Sequence, residues 1–236
     1  MGIGRDVFEL MGKIGYNFTD ITLLEHALTH ISYTNEMRQR GYRAEKNETL
    51  EFLGDAVLEL VVSEELYLRF KELGEGTLTK MRQSVVCESA LAEAAEKISL
   101  GEYLNIGNGE EQIGLRQKPK ILADALEALI AAVYLDCKSS GAEAYKAVIL
   151  MLLKEKLDRA HSLGATDHKT LLLQFVEKNS DSVLRYDYEE QGPEHNKTFK
   201  ATAFINNNKV GEGEGKTKRG AEAAAAEMAL KLFGII

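Results

Sequence analysis

Between Asn47 and Leu68 stand six acidic residues, Glu48, Glu51, Asp55, Glu59, Glu64 and Glu65, and no Lys or Arg. Glu48, Glu51 and Asp55 fall at i, i+3 and i+7, so a helix through this segment carries them on one stripe. A solvated acidic face is the ordinary meaning of such a run. Solvated faces usually interleave Lys or Arg, however, because like charges at this spacing destabilise a helix by roughly a few tenths of a kcal/mol per pair. A second pair, Asp124 and Glu127 at i and i+3, sits inside the otherwise apolar run from Ile121 to Leu135. Charges embedded there are costly unless paired or metal-bound, and only Lys118 and Lys120 lie nearby in the sequence. Two helices presenting such acids side by side make an all-oxygen cage, the donor set that hard divalent ions such as Mg²⁺ or Mn²⁺ prefer. The chemistry on offer is metal-assisted hydrolysis of a phosphodiester.

Apolar residues recur at three- and four-residue spacing from Asp6 to about Asp158, as in Leu23, Ala27 and Ile31, or Leu58, Val61, Val62 and Leu66. This region is expected to be all-α. Asn47 to Phe70 reads as one long helix with Asn47 as N-cap, Pro119 opens another through Val133, and a third runs from about 142 to 159. The stretch His161-Ser-Leu-Gly-Ala-Thr166 lacks periodicity and reads as a linker. Asp167 then caps a short helix through Lys178. Residues 184–190 and 198–205 alternate like strands, Asn206 to Asn208 mark a hairpin turn, and a third strand covers 209–215. An Ala-rich helix, 219–233, follows, with Ala223 to Ala226 packing closely on the sheet. The expected organisation is an all-α domain at 1–160, a linker at 161–166 and a small α+β domain (α-β-β-β-α) at 167–236.

Of the 236 residues, 44% are hydrophobic and 28% charged, an ordinary globular composition. Apolar runs such as Ala147 to Leu153 are far short of the ~20 residues that span a bilayer, and the first residues carry no secretory signal. Cys87 and Cys137 are expected to be free buried thiols in a reducing cytoplasm. The net charge of −8 by itself argues against a nucleic-acid partner. Its distribution reverses that: residues 161–236 hold 10 Lys/Arg and 11 Asp/Glu, so the acidic excess belongs to the first region. Lys216, Lys218 and Arg219 put three cations in four residues at the start of the last helix, a place suited to phosphates.

Three other signals carry less. Gly211-Glu-Gly-Glu-Gly-Lys-Thr217 lacks the glycine a nucleotide-binding loop needs at position 210, which is Val. His26 and His30 are spaced for zinc, but Ala27 stands where a metalloprotease has Glu, so a packed or hydrogen-bonded pair is expected. Asn105 to Gly109 lacks a third glycine and reads as a turn.

Asn47-Glu-Thr-Leu-Glu-Phe-Leu-Gly-Asp55 resembles the nine-residue signature of the ribonuclease III family, and Lys120-Ile-Leu-Ala-Asp-Ala-Leu-Glu-Ala-Leu129 resembles its second acidic motif. Leu23-Leu-Glu-His-Ala-Leu-Thr-His30 and Gly74-Glu-Gly-Thr-Leu-Thr-Lys-Met-Arg82 also match, and the C-terminal region resembles a double-stranded RNA-binding domain. The resemblance covers almost the whole chain. It implies a Mg²⁺-dependent endonuclease, with Mn²⁺ as a substitute, that cuts both strands of duplex RNA and leaves 5′-phosphate and 3′-hydroxyl ends. Its substrates would be ribosomal RNA precursors and other structured RNAs, messengers included; it would act as a cytoplasmic homodimer, with no nucleotide cofactor and no membrane.

Carried over residue by residue, Glu51, Asp124 and Glu127 would ligate metal, with Asp55 and Glu127 at the catalytic centre. Glu48 and Glu75 match auxiliary acidic positions, and Phe52 matches an aromatic that packs into a partner subunit. In the C-terminal region, Lys216, Lys218 and Arg219 would meet phosphates and His195, in Gly192-Pro-Glu-His195, a minor groove. Gln174 and Glu177 would meet a second minor groove, in a domain type that spans roughly 16 base pairs and reads shape. Thr49 stands where many relatives carry Arg, and Leu173 where many carry Gln. The rival reading is a non-catalytic double-stranded RNA-binding protein; the four acids Glu51, Asp55, Asp124 and Glu127 speak against it, because Lys would serve pure binding better.

Overall fold

The computed structural model describes residues 6–71, 73–140, 143–165, 168–177, 182–191 and 197–236. As the apolar spacing requires, helices follow one another: α1 (Val7–Ile14), α2 (Ile21–Ala27), α3 (Ile31–Gln39), α4 (Glu48–Arg69), α5 (Glu75–Val86), α6 (Glu88–Lys97), α7 (Asn108–Gln112), α8 (Pro119–Ser140), α9 (Ala144–Leu152) and α10 (Lys154–Ala165). Local chemistry sets several ends. Asp6 and Asp20 accept the backbone N–H of Phe8 and Thr22 to cap α1 and α2, and Gly15, at φ +65°, closes α1. At the start of α4 the Asn47 carbonyl accepts from Leu50 and Glu51, while its buried side chain donates to the Ala27 carbonyl.

Three sequence expectations are corrected. The helix expected over 142–159 is two helices, broken at Leu153, which is fully buried at the junction. The supposed linker is helical as far as Ala165: no proline interrupts it, and one glycine costs a helix only about 1 kcal/mol. Asn105 to Gly109 is not a simple turn. Asn105 bridges Thr29 and Gly107 caps α7.

Two compact units emerge, one of Met1–Glu65 with Arg82–Leu157, the other of Leu66–Met81 with Asp158–Ile236. In the first, α8 is apolar nearly all round and correspondingly buried, from Leu122 and Ala123 through Leu126 to Val133. Ala27 of α2, Leu50 of α4 and Ala128, Ala131 and Ala132 of α8 form one buried seam whose small side chains let the three helices approach. The approach is tightest at Gly54, where a Cβ would lie 1.8 Å from the Glu127 carbonyl oxygen. Asp136, near the end of α8, is buried and accepts from the Tyr16 hydroxyl and from the Thr19 and Asp20 N–H groups at 2.7, 2.8 and 2.8 Å. Burial would raise its pKa, but these three donors outweigh burial and hold the carboxyl below its ordinary range. Cys137 is buried as expected; Cys87 is exposed, because it occupies the turn that caps α6.

In the second unit α11 (His168–Glu177), strands β1 (Leu184–Gln191), β2 (Thr198–Ile205) and β3 (Asn208–Gly215), and α12 (Lys218–Leu232) follow in the expected order. The sheet is antiparallel, β1-β2-β3, and Asn206 turns the hairpin at φ +55°. Asp167 and Lys178, expected at the ends of α11, lie outside the described residues. Gly211 and Gly213 abut Ala225 so closely that a Cβ would sit 2.1 and 2.3 Å from its backbone. The glycine run that mimics a nucleotide loop is the packing face of β3.

Gly54→Ala adds helix propensity, yet its methyl group meets backbone rather than space. We expect denaturant unfolding to show a loss of about 1–3 kcal/mol; an unchanged or raised midpoint would refute the close contact.

Candidate metal centre and nucleic-acid interface

The Gly54 contact decides where the acids go. Glu51 lies one turn before it on α4, and Asp124 lies one turn before Glu127 on α8. One carboxylate oxygen from each of Glu51, Asp124 and Glu127 falls within 4.8 Å of the other two, and all three side chains are partly buried. Lys120, one turn earlier on α8, pairs with Asp124 at 3.2 Å. Burial, then the charges of Asp55, Asp124 and Glu51, push the Glu127 carboxyl up to about 8. Burial and Asp124 likewise raise Glu51. Without a metal the site favours the protonated form of Glu127, because one lysine does not balance these acids. An all-oxygen trio that favours a proton for want of positive charge fits a hard divalent cation, whose binding would release that proton. Asp55 is solvent-exposed on the same helix and acts on Glu127 through its charge.

A cleft of about 300 Å³ opens onto Glu51 and Asp124 of this trio, walled also by His30, Glu48 and Lys120. Glu48, expected as an auxiliary acid, lies in the cleft and is paired with Lys46. Glu75 stands outside the trio, in the first turn of α5, where it accepts from the Thr79 hydroxyl at 2.9 Å. The two histidines diverge: His26 Nε2 donates to the Lys46 carbonyl at 2.8 Å, whereas His30 Nδ1 accepts from the Ser32 N–H at 3.2 Å. The neutral His30 ring thus carries its proton on Nε2, and burial lowers its pKa. Sequence spacing paired His30 with His26 and missed its place in the cleft wall. Phe52 is 81% exposed, and with Ala56 and Leu60 it forms an uncovered stripe of α4.

In the second unit, Lys216, Lys218 and Arg219 are exposed at the N-terminal end of α12, which Thr217 caps by accepting from the Gly220 N–H at 3.0 Å. Lys218 lies 5.7 and 5.8 Å from the rings of Tyr188 and Phe199 and 3.6 Å from Glu190. Gln174 and Glu177 are exposed on α11, as is Leu173. His195 lies outside the described residues. Glu222 of α12 accepts from Lys169 of α11 and from the Tyr188 hydroxyl of β1. This junction ties both helices to the sheet, and no sequence spacing reveals it.

Residues 20–156 match a family model described as Ribonuclease-III-like, and residues 168–232 match one described as a double-stranded RNA binding motif. The chain belongs to the ribonuclease III family. A ribonuclease 3 of Listeria welshimeri is 42% identical over 223 residues, 94% of this chain and 95% of that protein. A ribonuclease 3 of Caldanaerobacter subterraneus is 47% identical over 226 residues, 95% and 96% of the two chains. The nuclease domain of ribonuclease III from Campylobacter jejuni, described with flexibility in a region involved in dimer formation, matches with a TM-score of 0.57 and 39% identity. The match covers 65% of this chain and 99% of that one. As a family member with both parts, the chain is an endoribonuclease with a double-stranded RNA-binding domain.

The raised Glu127 pKa has a sign. Folded, the group binds its proton more tightly than the ordinary 4.5, so its contribution to stability is full below 4.5 and is lost as pH rises towards about 8. In EDTA the melting temperature should fall across that window. Glu127→Gln should flatten the fall and stabilise the metal-free protein by roughly 1–2 kcal/mol at pH 8; a variant with the parent profile would remove Glu127 from that role.

Proposed function

We propose that this ribonuclease III hydrolyses phosphodiester bonds in both strands of duplex RNA with Mg²⁺, or Mn²⁺ in its place, leaving 5′-phosphate and 3′-hydroxyl ends. The convergence of Glu51, Asp124 and Glu127 within 4.8 Å carries this reading. These three would hold the ion, which when bound would offset the carboxylate charge, polarise the scissile phosphate and activate water. Asp55 completes the catalytic centre with Glu127, its exposed carboxylate facing the attacking water as a hydrogen-bond acceptor. Glu48 and Glu75 shape the approach of RNA.

The two functional halves are residues 1–160 and 167–236. In the second, Lys216, Lys218 and Arg219 take phosphates at the end of α12, while Gln174 and Glu177 meet one minor groove and His195 another. A homodimer with one cleavage centre per subunit accounts for the exposed Phe52 and Leu60, large side chains that a partner would cover. The Campylobacter nuclease domain, with its region involved in dimer formation, supports the same reading. The substrates are ribosomal RNA precursors and other structured RNAs, messengers among them, in the cytoplasm.

A long RNA duplex should be cut to short duplexes with Mg²⁺ and stay intact in EDTA; intact RNA under both conditions would overturn the proposal. Glu127→Gln should abolish cutting, by at least a thousandfold, yet retain duplex binding on gels, and a variant that cuts at the parent rate would refute the assignment. Replacing Lys216 and Lys218 by Ala should weaken binding and lower the slope of log affinity against log salt by about 1–2. An unchanged slope would place the phosphates elsewhere.

A further inference from the structure

The carboxylate cleft has a basic neighbour. Ile31 lines both that cleft and a larger groove of about 890 Å³, formed by α3, the start of α4 and the loop between them. Arg38, Arg43 and Lys46 line the groove beside Tyr42, Thr49 and one acid, Glu45. The segment 38–46 carries four cations, Arg38, Arg40, Arg43 and Lys46, against the single acid Glu45, in a region whose overall balance is strongly acidic. Lys46 is paired with Glu48 of the cleft, and Glu45 is drawn to His26 at 3.6 Å. Among the described residues, Arg38 and Arg43 have no acidic partner, and both are exposed.

We propose that this groove is an RNA-phosphate track that carries the substrate backbone into or out of the carboxylate cleft. The proposal rests on duplex-RNA cleavage and adds a contact surface within the nuclease unit. Physical need and placement agree. A site built of Glu48, Glu51, Asp55, Asp124 and Glu127 repels a polyanion, and unpaired guanidiniums next to it supply the compensating attraction. Arginine suits the task, because its planar fork holds a phosphate through two hydrogen bonds. The groove is open and of mixed lining, its charged and polar side chains interspersed with Ile31, Gly41 and Ala44. Arg40 is exposed on the same segment but does not line the groove, so it separates local contact from general charge.

The test compares full-length Arg38→Gln/Arg43→Gln with Arg40→Gln on a long RNA duplex in Mg²⁺, over a range of salt. The double variant should raise KM about tenfold, hold kcat within twofold, and lower the salt slope of kcat/KM by about 1.5. Arg40→Gln should stay within twofold of the parent, and Arg38→Lys/Arg43→Lys should recover most of the salt slope. An unchanged KM and slope in the double variant, or an equal loss in Arg40→Gln, would overturn the track. A parent chain that cuts no duplex would overturn the endonuclease reading and this one together, whereas a cutting parent with indistinguishable variants would overturn this one alone.

Discussion

The backbone contact between α4 and α8 at Gly54 governs this molecule. Two helices whose axes stood a methyl group farther apart would still pack, but Glu51, Asp124 and Glu127 would stand farther from one another. The contact costs helix propensity at Gly54 and forces Glu51, Asp124 and Glu127 into mutual repulsion. The protein carries that electrostatic burden as a raised Glu127 pKa and a salt bridge from Lys120 to Asp124. Both are weak substitutes for a divalent charge. The apolar seam of Ala27, Leu50, Ala128, Ala131 and Ala132 supplies the packing that holds the helices together against the repulsion.

The second unit uses small residues for a different end. Gly211, Gly213 and Gly215 face Ala221 and Ala225, bringing α12 flat against the sheet. The helix is then anchored by Glu222, which accepts from both Lys169 and Tyr188, close to where its exposed cations stand. An anchored cationic end suits a ligand read by shape, since phosphate spacing in a duplex is fixed and mobile charges would lose entropy on meeting it.

A chain of net charge −8 that acts on a polyanion must segregate its charges. The acids concentrate where a cation is wanted, on one stripe of α4 and in the first half of α8. The cations gather in short segments, 38–46 and 216–219, where the average composition hides them. Net charge misleads here because the field that a phosphate meets is set by the few groups within a Debye length, about 8 Å at physiological salt.

Much of this was legible in one dimension. The periods of 3.6 and 2 gave α4, most of α8, α12 and all three strands, and Glu51, Asp124 and Glu127 stood out as acids set where charge is costly. The errors fell where local pattern is weak. Residues 161–165 are helical because a helix propagates through polar residues once nucleated, and the break at Leu153 leaves no mark in composition. His30 spaced itself with His26 in sequence, but its ring turned to Ser32 and the cleft. By itself the sequence determined which residues could ligate, cap and alternate, because those properties belong to side chains and their neighbours along the chain. Only the tertiary structure decided that Gly54 abuts Glu127, that burial and neighbouring acids raise the Glu127 pKa, and that Arg38 and Arg43 line a groove beside the acids, because each of these depends on distances between segments remote in sequence.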